Sequence, residues 1–169
     1  GLLGVGQPRT LFVVVDDSIA SAARTGDGES GLDRSIASAK ALIETLQPAD
    51  AIGVIATARP ARGLVVPPST DHGSIIRVLE SLQPAQTPND LPAALGELRV
   101  AIDRLDAGQQ VAAILLSDWR QGSTALDTPL PPVLTASRGA PVRLFATPPA
   151  EEPITNVQVA SIDPLRSLI

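Results

Sequence analysis

The chain has 169 residues, a net charge of -5, 44% hydrophobic content and only three aromatic side chains, Phe12, Trp119 and Phe145. That size and composition fit one compact domain with an aliphatic core, while singly scattered arginines around the only lysine, Lys40, offer no basic stripe for a nucleic-acid backbone. The absence of cysteine excludes disulfides, thiolate metal centres and thiol catalysis, and leaves the redox compartment open.

Thr10 to Asp16 predicts a buried strand, followed by a Gly-, Ser- and Ala-rich loop from Asp17 to Gly31. Apolar residues at helical spacing (Leu32, Ile36, Ala39, Leu42, Ile43, Leu46) predict a first helix that Pro48 stops. Ala51 to Thr57 predicts a second strand. Gly63 to Val66 predicts a short third one closed by Pro67-Pro68, which suits a sheet edge because proline cannot donate to a ladder. Ser69-Thr70-Asp71 provides N-cap chemistry for a second helix ending near Pro84. After a polar connector from Ala85 to Asp90, a third helix runs from Leu91 to Leu105 with Pro92 in its first turn. A strand from Val111 to Ser117, a short helix from Thr128 to about Ser137, and a strand from Val142 to Ala146 follow. Residues 1–147 therefore read as one domain. Residues 148–169 read as a linker, Pro148 to Pro153, and an alternating strand, Val157 to Ile162, that closes this sheet or opens a next domain.

Alternation of strands and helices implies an α/β fold of three layers, a mostly parallel sheet flanked by helices in a Rossmann-like arrangement. In such sheets ligands bind beyond the carboxyl ends of the strands. Two strands end there in acids and hydroxyls: Val15-Asp16-Asp17-Ser18 and Leu116-Ser117-Asp118. Trp119 and Arg120 follow on the same rim, and both residue types are enriched among binding hot spots. Asp17, Trp119 and Arg120 are thus candidate partner contacts.

From about Arg9 to Ala146 the chain resembles the von Willebrand factor A family, whose first strand ends in Asp-x-Ser-x-Ser and whose metal site is completed by a Thr and an Asp on later loops. Asp16, Ser18 and Asp118 match that pattern. Asn89-Asp90-Leu91-Pro92-Ala93-Ala94-Leu95 adds a likeness to the bacterial Bat-type (aerotolerance) group. The resemblance implies a Mg²⁺ site formed by Asp16, Ser18, Asp118 and either Asn89 or Thr87. It departs from the pattern at Ala20, where the family has its second Ser, and Ser21 lies one residue late. Mg²⁺ takes octahedral oxygen ligands, so hydroxyls around it leave a position that a partner's carboxylate can fill. The implied function is non-enzymatic protein binding by part of a larger, bacterial, membrane-anchored parent. The alternative is a structural module without metal that packs on flanking domains of its own chain.

Other classes lack their residues. A phosphorelay receiver needs an acceptor Asp at a central strand end and a late Lys, where this chain has Ala56-Thr57-Ala58-Arg59 and no Lys beyond Lys40. The only histidine, His72, stands at a helix start beside Asp71, and no Gly-x-Ser-x-Gly, Gly-x-Gly-x-x-Gly or Gly-Lys-Ser/Thr phosphate loop occurs. No run approaches the ~20 apolar residues of a membrane span. Gly1-Leu2-Leu3-Gly4 is too short for a signal sequence.

Overall fold

The computed structural model describes residues 8–119 and 142–147. β1 (Arg9–Val15) is the central strand of a five-stranded sheet in the order β3-β2-β1-β4-β5. β2 (Ala51–Ala56) and β4 (Gln110–Leu116) pair parallel to it on either side, with Thr10 opposite both Ala51 and Val111. β5 (Arg143–Ala146) extends the parallel part beyond β4.

Alternation of side chains along β1 divides the core in two. Leu11, Val13 and Val15 face α1 (Gly31–Ile43) and α2 (His72–Glu80), packing with Leu32, Ala39, Ile43, Ile75 and Leu79. Phe12 and Val14 face α3 (Leu91–Asp103), packing with Leu91, Ala94, Leu95 and Leu98. A strand covered on both faces loses its polar surface, so β1 reads as the unbroken apolar run Leu11 to Val15 and is buried along it. Because α1 leads from β1 to β2 on one face and α3 leads into β4 on the other, the sheet changes winding direction at β1, and its carboxyl end opens a crevice.

The third strand differs from its prediction. β3 runs from Arg62 to Ser69, through both prolines, antiparallel to β2 at the sheet edge. Register shifts between Ile52 and Val54 place Val65 and Ser69 opposite residues only two apart on β2, so Pro67 and Pro68 fall in the irregular stretch where no ladder donor is required. α1 also starts one residue earlier and stops earlier than its apolar spacing suggests, with Leu46 closing a further turn onto Ile43. The expected helix near 128–137, the linker at 148–153 and the strand at 157–162 lie outside the described residues.

The loop before α1 carries its own structure. Ile19–Ala22 forms a short 3-10 turn, Arg24 bridges to Ser30, and Gly28 takes the positive φ of 86° that closes the turn between them. Ser30 and Asp33 form a reciprocal capping box: the Asp33 N–H donates to Ser30 Oγ at 3.1 Å, and the Ser30 N–H and hydroxyl donate to Asp33 Oδ2 at 2.9 and 2.7 Å. Donation first from the Ser30 N–H and then from its hydroxyl holds the Asp33 carboxyl below its ordinary value of 3.8. A lowered carboxyl stabilises the fold above that value, and the contribution is lost as pH falls through the folded-state value. Ser30→Ala is expected to cost about 1 kcal/mol near neutrality. That cost should narrow below pH 3.8, because the hydroxyl's bond to the carboxylate disappears on protonation while its bond to the Asp33 N–H persists. Urea unfolding of both forms across this range checks it, and a pH-independent difference contradicts it.

Candidate functional site

The carboxyl ends of β1 and β4 meet through a direct side-chain contact. Asp16 is 2% exposed. Its Oδ1 accepts the Ser18 N–H at 3.0 Å, which turns the chain out of β1, and its Oδ2 accepts the Ser117 hydroxyl at 2.8 Å across the strand boundary. Parallel register brings Val15 beside Leu116, so the residues that follow each strand are neighbours. Ser117 in turn accepts the Trp119 N–H at 3.1 Å. Trp119 holds a φ of 51°, a conformation costly for a bulky side chain, and its indole N–H donates to the Thr147 carbonyl at 2.7 Å while the ring packs on the α3 side of the core. Strain of this kind persists only where surrounding contacts fix it, and here five hydrogen bonds involve the segment from Ser117 to Trp119.

The three acids of the rim have different surroundings. Asp17 is 0% exposed, and its Oδ1 accepts the Ala58 N–H at 2.8 Å while its Oδ2 is ion-paired with Arg62 at 2.5 Å. A carboxylate enclosed in this way cannot present itself to a partner. The expectation that Asp17 is a partner contact therefore gives way to an internal role, fastening the ends of β1 and β2 to the start of β3. Asp118, after β4, turns its carboxylate toward α1, where Arg34 lies 3.6 Å from Oδ2. A Cβ on Gly31 would fall 2.7 Å from that same oxygen and 3.3 Å from the Ser21 carbonyl, so any side chain at this position would displace the Asp118 carboxylate. Asp16, by contrast, has no Lys, Arg or His within ion-pair distance among the described residues.

Oxygen atoms near Asp16 are also left over. Ser18 Oγ is buried without a hydrogen-bond partner, and so are Thr57 Oγ1 and Asn89 Oδ1. Thr87 contributes its carbonyl to the Ile19 N–H at 2.9 Å, which pins the 3-10 turn to the connector before α3. Ser21 spends its hydroxyl on the Ser18 carbonyl at 2.7 Å and does not stand in for the hydroxyl missing at Ala20. Among the described residues no group of three or more His, Cys, Asp or Glu side chains could hold a metal, so any cation here depends on hydroxyl and amide oxygens beside one carboxylate. Such a donor set suits a hard cation. His72 lies elsewhere: its Nε2 donates to the Asp50 carbonyl at 2.8 Å, at the amino end of β2 and so at the opposite end of the sheet from Asp16. Arg120 lies outside the described residues.

Sequence pattern alone pointed to Asp16, Ser18 and Asp118. It placed Ser117 beside Asp118 at the second strand end, and it did not single out Thr57, Arg62 or Arg34. Ser117 and Thr57 share one signal, a hydroxyl directly after a central parallel strand. The two arginines had none, since their partners are fixed by the packing of β3 and α1.

A mostly parallel sheet with helices on both faces and an acid-and-hydroxyl crevice at the switch of winding defines a Rossmann-like α/β domain. Residues 11–122 match the von Willebrand factor type A domain, and the chain belongs to that family. Among solved structures, the conserved hypothetical protein BatB from Bacteroides thetaiotaomicron is similar at 21% identity and a TM-score of 0.56, over 63% of this chain and 52% of that one. An aerotolerance-related membrane protein from Bacteroides fragilis is similar at 20% identity and a TM-score of 0.56, over 63% of this chain and 52% of that one. This chain thus spans about half the length of both. Proximal thread matrix protein 1 from the mussel byssus, in a structure with a zinc-occupied MIDAS motif, shares the fold at 14% identity and a TM-score of 0.63, over 82% of this chain and 37% of that one. At these identities the likeness is one of fold. Comparison with curated proteins gives no match. No helix among the described residues is long and apolar enough to cross a membrane.

Proposed function

We propose that this von Willebrand A domain is a non-enzymatic protein-binding module whose crevice takes a hard divalent cation, Mg²⁺ in the cell, and through it an acidic group of a partner protein. One observation carries the proposal: among the described residues Asp16 is buried with no cation beside it, although its neighbours Asp17 and Asp118 each have an arginine. A buried carboxylate without countercharge is costly, and a bound cation removes that cost. Asp16 and Ser18 would hold the ion from the β1 loop. Asn89 would serve from the loop before α3 in preference to Thr87, because Asn89 lines the crevice beside Asp16 with its Oδ1 unpartnered, whereas Thr87 does not line it. Asp118, already neutralised in part by Arg34, would act as an outer carboxylate. When bound, the cation supplies Lewis acidity and an open coordination position, and Trp119 on the rim shapes access to it. The zinc-occupied MIDAS motif of the mussel protein's structure supports a metal on this fold.

Titration of the domain with Mg²⁺ and Mn²⁺ by calorimetry is expected to give saturable heat that Asp16→Asn abolishes while leaving the circular dichroism spectrum unchanged. No heat from the unaltered domain overturns the metal-dependent role. The Asp118–Arg34 pair and the missing hydroxyl at Ala20 favour the competing role, a structural module packing on flanking domains of its own chain, and that outcome would support it. A bacterial, membrane-anchored parent is proposed from the likeness to the two Bacteroides proteins, one of them described as a membrane protein, and fractionation of the full-length protein tests it.

A further inference from the structure

The crevice has a second wall that the Asp-x-Ser-x-Ser pattern does not include. On the α3 face, between the ends of β1, β2 and β4, a cavity of about 10 Å³ is bounded by Asp16, Thr57, Asn89, Ser117 and Trp119 together with apolar residues of the strands and α3. That volume holds a single body the size of a water molecule. Thr57 is 2% exposed. Its N–H donates to the Val15 carbonyl and its own carbonyl accepts the Asp90 N–H at 2.8 Å, so the backbone is satisfied and only the hydroxyl is left without a partner. Asn89 lines the same cavity, bridged to Ala58 by backbone pairing, with its Oδ1 equally unpartnered. Valine would fill the same space as Thr57 without an orphaned oxygen. Two unpartnered neutral oxygens, on residues that line one ion-sized cavity with a carboxylate that has no cation beside it among the described residues, form a set that a cation satisfies.

We propose that Thr57, at the end of β2, is a cation-contacting residue of this chain, acting with Asn89 and Asp16 so that the ion enters on the α3 face and the oxygen missing at Ala20 is made up from β2. The inference rests on the cation-binding role proposed above and adds to it the position of the ion and the residues that hold it. Oxygen-only coordination with one carboxylate selects Mg²⁺ or Mn²⁺ over metals that favour imidazole or thiolate.

Mn²⁺ serves as the probe, followed by calorimetry and by the loss of the free-ion electron paramagnetic resonance signal. Thr57→Val is expected to weaken Mn²⁺ binding roughly tenfold or more, with Thr57→Ser retaining it. Without metal, the melting temperature of Thr57→Val should equal or exceed that of the unaltered domain, since a buried hydroxyl without a partner is removed. Asn89→Ala, at a partly exposed position, gives a second arm with the same expected loss. If both variants bind Mn²⁺ as the unaltered domain does while Asp16→Asn does not, Thr57 and Asn89 are not ligands and the cation role survives without them. A raised melting temperature with unchanged Mn²⁺ affinity would mean that the cavity holds water only, and it overturns the proposal. No Mn²⁺ binding by the unaltered domain overturns both.

Discussion

Phe12→Ala is expected to destabilise the domain by about 3–5 kcal/mol, the range for removing a fully enclosed phenylalanine. Phe12 is 0% exposed at the centre of β1 and is the largest fully buried side chain of the cluster between the sheet and α3. Its space is reserved by a partner without a side chain: Phe12 pairs with Gly53 on β2, and a Cβ built on Gly53 would lie 2.5 Å from both Cδ1 and Cε1 of the ring. Gly53→Ala should therefore cost about 1–3 kcal/mol or more in the normal background, by overpacking. In the Phe12→Ala background the obstruction is gone and the same substitution should cost far less, because alanine is otherwise no worse than glycine in a strand. Urea unfolding of the four proteins in a double-mutant cycle measures the coupling, and strict additivity would show that the ring does not lean on Gly53.

Arg62→Ala is expected to cost about 2–3 kcal/mol, below the 3–5 kcal/mol range for breaking a fully buried ion pair. The reduction follows from geometry: Asp17 is fully enclosed, but the Arg62 side chain is 42% exposed, so water takes over part of its role. What remains is a buried carboxylate held by one N–H, that of Ala58. Asp17→Asn in the Arg62→Ala background should recover part of the loss, since the amide oxygen can still accept from Ala58 and no charge is left unpaired. The pair Arg59–Asp90 provides the contrast. Arg59 is 62% exposed, and Arg59→Ala should change stability by no more than ~1 kcal/mol. Equal losses from the two arginine substitutions would contradict the assigned difference in burial.

The sequence by itself determined the layered α/β class, the order of its elements through the end of β4, and the presence of acid and hydroxyl groups at the ends of β1 and β4. These features are local: an unbroken apolar run marks a strand covered on both faces, helical spacing marks α1 to α3, and Asp or Ser before a helix marks its cap. Only the tertiary structure decided what each acid does. Asp16, Asp17 and Asp118 look alike as residue types after a strand, yet Arg62 arrives at Asp17 from the edge strand β3, Arg34 arrives at Asp118 from the second turn of α1, and nothing cationic among the described residues arrives at Asp16. The prolines of β3 were legible as an edge signal, but the length of that strand depended on register shifts against β2. Thr57 was visible as a letter after β2 and became a candidate ligand only when the parallel pairing of β1 and β2 set it beside Asp16 with its hydroxyl unpartnered. Charges and orphaned oxygens find their counterparts across 30 to 100 residues of chain, and periodicity carries no record of such distances.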